Sequence, residues 1–222
     1  MSGQEYQVKS LNMGTIESYT YGKKQYQSAI KKQPVEGHVF LSKVGLVGDE
    51  QAYEFHGGEN KALCLYPYEY YDYWRPHFNN MVETALFGEN LTVSGLTEET
   101  AHIGDIFSLG EAIIQISEPR NPCYKLAAKY EVPDLIKRVR NNGYTGFLLR
   151  VLQEGMVSVH DRMVLLDPHP QQVSVALVND VKFHDRFNEE KVYRVLQVDE
   201  LSRSLHDAIK EQFESGKKNG WG

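Results

Sequence analysis

A chain of 222 residues can form one large domain, or one domain with a small appendage, around a sizeable core. Its 41% hydrophobic and 24% charged content is ordinary for a globular protein and excludes a disordered or fibrous chain. A net charge of −6 excludes a global basic field for nucleic acid or an anionic membrane surface. Two cysteines make no disulfide framework, and no C-x-x-C zinc spacing occurs. The residues before Ser10 lack an apolar signal-peptide core, and no run approaches the ~18 apolar residues of a membrane span. The expectation is a soluble protein of a reducing compartment, most simply cytoplasmic, with no nucleic-acid or membrane partner.

In chain order, Val8 to Tyr21 reads as a first strand, closed by a turn at Tyr21-Gly22-Lys23-Lys24. Ser28 to Lys32 reads as a short strand stopped by Pro34, and alternation sets Lys31 and Lys32 on opposite faces. Val39-Phe40-Leu41 is a further strand, followed by glycine turns over Gly45 to Glu50 and a polar loop over His56 to Lys61. Ala62 to Tyr66 reads as a buried strand, with Cys64 a core residue. Pro67 opens a helix to Trp74 whose aromatics are best placed in the core. Phe87 to Val93 passes from loop to strand. His102 to Phe107 and Ala112 to Ser117 form strands around Gly110, and Tyr124–Tyr130 and Pro133–Asn141 form helices. Three more strands follow at Gly146–Val151, Gly155–Val159 and Met163–Leu166. Many short strands with glycine turns predict a β-barrel or sandwich rather than a doubly wound sheet. At Asp167-Pro168-His169-Pro170 the character changes to three helices over 173–183, 189–197 and 199–213, capped by Asn188 and Asp199. The resulting division is 1–169 and 170–222.

Chemistry concentrates in Glu118-Pro119-Arg120-Asn121-Pro122-Cys123-Tyr124-Lys125. The two prolines shape a loop just past a strand end, where functional residues often sit. Most free cysteines are inert buried hydrophobes, but reactive thiols occupy electropositive, partly exposed settings such as this one. Lys32, the His56 loop with Lys61, and Glu89-Asn90 are further polar stretches. Each has a bland reading as a solvated cation, a bonded loop histidine or a turn former. Together they offer a soft ligand, cations for an anion, and neutral donors and acceptors for a heterocycle. That inventory suits an anionic cofactor carrying a soft metal.

Several stretches resemble the MOSC family (molybdenum cofactor sulfurase C-terminal domain). They are Ser28-Ala29-Ile30-x-Lys32, Gly45-Leu46-x-Gly48-Asp49-Glu50-Gln51-Ala52, His56-Gly57-Gly58, Ala62-Leu63-Cys64-x-Tyr66-Pro67, Phe87-Gly88-Glu89-Asn90-Leu91 and Pro119-Arg120-x-Pro122-Cys123-Tyr124-Lys125. The YiiM-like branch, which also carries a C-terminal three-helix segment, resembles the chain over nearly its whole length. The resemblance implies a mainly β fold with helices (α+β): a MOSC-like β-barrel followed by three helices. It implies binding of the molybdenum cofactor (molybdopterin), with Cys123 coordinating the metal and Arg120, Lys32 and Asn90 holding the pterin or its phosphate. His56, Lys61, Glu89 and Lys125 are implied pocket residues, and Cys123 and His56 the candidate catalytic ones. The implied activity is reduction of N-hydroxylated bases or related compounds, with electrons from separate redox partners. A second implied role is sulfur carriage, with a Cys123 persulfide loaded by a pyridoxal-phosphate-dependent cysteine desulfurase. A third reading is a non-catalytic barrel that binds some other small anion.

Overall fold

The computed structural model describes residues 3–53, 57–78 and 82–218. Its centre is a closed barrel of seven strands: β1 (Glu5–Met13), β7 (Leu63–Pro67), β8 (Leu91–Ser94), β9 (Ile106–Leu109), β10 (Ala112–Pro119), β11 (Phe147–Gln153) and β13 (Arg162–Asp167). Around the barrel they run β13-β9-β10-β11-β7-β8-β1, and β1 closes on β13 with Glu5 opposite Val164. Closure removes the unpaired edges that an open sheet leaves. All pairs are antiparallel except β7–β8. The strands' buried apolar residues, among them Leu11, Leu63, Leu65, Phe107, Ile116 and Leu149, fill the barrel core.

Smaller pieces hang on this frame. β4 (Gln33–Pro34) extends the sheet beside β1, while β2 (Glu17–Tyr21) and β3 (Lys24–Ser28) form a separate hairpin. β5 (His38–Ser42), β6 (Gly45–Leu46) and β12 (Gly155–Ser158) form a three-stranded sheet. A short helix α1 (Tyr71–Trp74), flanked by 3₁₀ turns, buries Tyr70, Tyr71 and Trp74 in a second core with Phe87 and Tyr130. This agrees with the core reading of those aromatics; Tyr68 and Tyr73 stay exposed. Helices α2 (Tyr124–Tyr130) and α3 (Leu135–Asn142) supply the other side of that core.

The C-terminal helices are α4 (Val175–Phe183), α5 (Glu189–Leu196) and α6 (Arg203–Lys218). Val178, Val192, Val195, Leu205, Ile209 and Phe213 join the same apolar cluster as the barrel strands, so one core runs through both. Asn188 caps α5 as expected, its side chain accepting from the Lys191 N–H.

Four expectations need correction. The strand expected over Val8–Tyr21 breaks at Gly14, whose N–H turns to Asp49 Oδ1 (2.7 Å). A Cβ there would stand 2.7 Å from the Ala29 carbonyl oxygen, so this close approach needs glycine. β3 ends at Ser28, leaving Lys31 and Lys32 outside any strand; they still diverge, Lys31 over the Tyr19 ring and Lys32 toward Asp49. His102 makes only an isolated bridge to Ser174, and β9 begins at Ile106. The last helix starts at Arg203 rather than Asp199, because Val198 to Leu201 closes a separate turn.

Candidate cofactor site

A cavity of about 660 Å³ opens where β10, the loop after it, the Lys32 and Asn90 segments and the C-terminal helices meet. Arg120 enters it just beyond β10. Pro119 is the last residue of that strand, and the Arg120 N–H is held by the Gly146 carbonyl at 3.0 Å. A bulge between Ile116 and Glu118 re-aims the strand end. Ser117 is the extra residue, its Oγ on the carbonyls of Asn60 (2.6 Å) and Leu148 (2.9 Å). Cys123 stands immediately before α2, in extended conformation, half-buried on the cavity wall.

Of the residues singled out by sequence, Lys32, Lys61, Asn90, Arg120, Cys123 and Lys125 line this one cavity. They come from four separate stretches of chain, around Lys32, Lys61, Asn90 and Arg120–Lys125, which only the fold brings together. Glu89 does not line it. Fully buried behind the wall, it accepts hydrogen bonds from Tyr71, from Thr92 Oγ1 (2.9 Å) and from the Phe87 N–H (2.8 Å). That replaces its expected pocket role with a structural one. Gly88 beside it has φ +70°, and an added Cβ would meet Ile30 at 2.8 Å, so the loop that delivers Asn90 is glycine-dependent. His56 lies outside the described residues.

The cavity's framing is polar and mostly satisfied. Asn90 Oδ1 accepts from the Cys64 N–H (3.2 Å), while its Nδ2 donates to Asp49 Oδ2 (2.8 Å) and the Asn12 carbonyl (3.2 Å). Asp49 in turn pairs with Lys32. Asn90 thus acts first as a keystone between three chain segments. Lys125 Nζ donates to the Gln27 carbonyl at 2.8 Å. Lys61 Nζ pairs with Glu118 Oε1 at 3.4 Å, and Glu118 also accepts from Ser202 Oγ, next to α6.

Other lining residues were not singled out in the sequence. Cys64, read there as core, is half-buried on the cavity wall. Its neighbours Leu63 and Leu65 are fully buried, and strand alternation turns the residue between them to the other face. Burial pushes the Cys64 thiol up, against the pull of the Arg120 and Lys32 charges. From the C-terminal helices come Lys182, Ser204, Leu205 and Ala208. Burial lowers the Lys182 ammonium to about 8; Glu118 opposes this, and Arg140 and Lys61 add to it.

The electrostatic balance is local and inverted. Among the described lining residues, five are cationic (Lys32, Lys61, Arg120, Lys125, Lys182) and one, Glu118, is acidic, although the chain carries −6. Arg120 Nη1 is buried with no hydrogen-bond partner among the described residues. A buried, unpartnered guanidinium donor fits an anion with phosphate-like oxygens. No three His, Cys, Asp or Glu side chains among the described residues are grouped to hold a metal. One cysteine sulfur beside an anion site suits a metal that arrives within an organic cofactor.

Residues 52–164 match the MOSC domain, and residues 173–216 match the YiiM-like, 3-alpha helix domain. The chain is 39% identical over 208 residues to Protein YiiM of Escherichia coli, covering 92% of this chain and 91% of that one. The crystal structure of YiiM from Geobacillus stearothermophilus aligns with a TM-score of 0.79 at 33% identity, covering 94% of this chain and 99% of that one. A Gibberella moniliformis protein named reductase is 38% identical over 149 residues, covering 65% of this chain and 27% of that longer protein. The seven-stranded barrel, the three helices and these matches together place the chain in the MOSC domain family, in its YiiM-like branch.

Proposed function

We propose that the cavity holds the molybdenum cofactor and that the protein is an oxidoreductase. It reduces N-hydroxylated bases or related compounds with electrons from separate redox proteins. The observation that carries this reading is the buried Arg120 Nη1, unpartnered among the described residues, in a cationic cavity shared with the Cys123 thiol. The fungal relative's name, reductase, supports the direction of the chemistry.

When bound, the cofactor supplies two-electron oxygen abstraction from an N–O bond; the chain supplies binding, orientation and electrostatics. Arg120 would grip a phosphate through its planar fork, and Lys32 and Lys61 would add point charges. The Cys123 thiolate would hold the metal as a soft ligand. Ser204, Leu205 and Ala208 form the wall of the cavity contributed by α6. Reducing N–OH to N–H and water consumes two protons, and Lys182 Nζ, held near 8 by burial, is a donor on the wall.

The test is elemental analysis of protein purified from a cofactor-competent host. Molybdenum near one per chain, lost in Cys123→Ala and kept in Cys64→Ala, is the expected result. Metal-free protein carrying a persulfide on Cys123 would sink the reading in favour of sulfur carriage.

A further inference from the structure

A second cleft, about 800 Å³, adjoins the cationic cavity, and Ala52, Tyr53, Cys123, Tyr124 and Lys125 line both. The wall facing Cys123 belongs to the β2–β3 hairpin, which lies outside the barrel and precedes residue 52, where the MOSC match begins. Three tyrosines border this cleft: Tyr26 from β3, Tyr53, and Tyr124 beside the thiol. The rings of Tyr26 and Tyr124 meet edge to face at 5.9 Å, and Tyr19 stacks behind Tyr26 at 5.6 Å. Tyr26 and Cys123 line the same cleft, which sets the ring on the thiol's side of it.

The two chambers differ in chemistry. The first is lined by five cations. The second has one cation among its described lining residues, Lys125, whose ammonium is engaged with the Gln27 carbonyl. Tyr53 and Tyr124 are 48% and 56% exposed, so two large rings stand against solvent beside the thiol. Every heteroaromatic ring offers a π-face, and stacking on tyrosine binds such rings without needing charge. An isolated two-stranded hairpin is only marginally stable, so the Lys125–Gln27 bond matters in holding this wall.

We propose that this cleft is the substrate subsite: it stacks a planar, uncharged heteroaromatic ring against Tyr26, Tyr53 and Tyr124 and sets the ring's reactive substituent beside Cys123. The assignment of the reacting end rests on the cofactor reading of the first cavity; the ring contacts do not. The hairpin is then the arm that selects aromatic over aliphatic substrates.

Full-length protein from a host unable to make the cofactor separates the two ideas. It is dialysed to equilibrium against adenine, N6-hydroxyadenine and, as a non-aromatic control, N-cyclohexylhydroxylamine. Both purines are expected to bind and the control to bind much more weakly. Tyr26→Ala and Tyr124→Ala are each expected to weaken purine binding about tenfold, and Tyr124→Phe to retain it. No purine binding by the parent protein, equal binding of the control, or unchanged binding in both alanine variants overturns the proposal. Loss of molybdenum from both alanine variants made in a competent host also overturns it, by giving the cleft to the cofactor. Cys123→Ala is expected to lose metal yet bind purine without cofactor, so failure of the metal reading is distinct from failure of this one.

Discussion

Arg120 bonds Gly146 through its backbone and leaves Nη1 buried without a partner among the described residues. A buried donor left unmade costs about 1–3 kcal/mol, a loss that a bound anion would recover. Arg120→Ala is expected to cut molybdenum retained after dialysis at least about tenfold while leaving the melting temperature unchanged or raised. A retained metal content measured on that variant removes Arg120 from the site. Arg120→Lys is expected to fall between, since an ammonium lacks the planar fork. Glu98 shows the other side of burial. Only 1% exposed, it accepts from the Gly146 N–H at 2.7 Å through Oε1, while Oε2 has no partner among the described residues. Burial pushes its carboxyl up to about 7. With a folded value above the unfolded one, the native state holds the extra proton, so stability is greatest below the unfolded value, about 4.3, and falls as pH rises toward 7. Glu98→Gln removes that slope. Its melting temperature is expected to overtake the parent's between pH 5 and 8, by on the order of 2 kcal/mol of stability at the upper end, read by calorimetry across pH.

Among the elements, α6 has two duties. Leu205 is 8% exposed, belongs to the shared core and also lines the cavity. Leu205→Ala is expected to cost about 2–3 kcal/mol in denaturant titration, near the low end for core leucines, because one side of the residue faces open space. The chain order of elements was readable from strand alternation, turn glycines and the proline-marked change near residue 168. Lys32, Lys61, Asn90, Arg120, Cys123 and Lys125 stood out as polar groups that a barrel does not need. What escaped was non-local. The break at Gly14 answers to Asp49 and Ala29, far away in sequence. Lys182 and Ser204 look like ordinary helix surface positions until α4 packs against β10 and Ser202, just before α6, bonds Ser117 and Glu118 of that strand. Glu89 misled because a carboxylate beside a lining asparagine reads as a ligand. Its actual partners, Tyr71 and Thr92, belong to other segments. Cys64 misled because its run is apolar on both sides, which hides the alternation that turns it to the cavity.

For the whole molecule, the shared core decides how the parts behave together. Val178, Val192, Ile209 and Phe213 pack in the same cluster as Phe107 and Ile116, and Glu118 joins Lys61 in the cavity to Ser202 at the base of α6. The full chain is therefore expected to unfold in one calorimetric transition, with the calorimetric and van't Hoff enthalpies equal. Two separated transitions would show that the helices melt by themselves. The pairing of β1 with β13 has a consequence in time. Glu5 cannot meet Val164 until about 160 further residues have been made, roughly 8–30 s at the usual pace of translation. Until β8 is made the first strand lacks its barrel partner on both edges, and from then until β13 emerges one edge stays open, a template for wrong pairing that chaperones must cover.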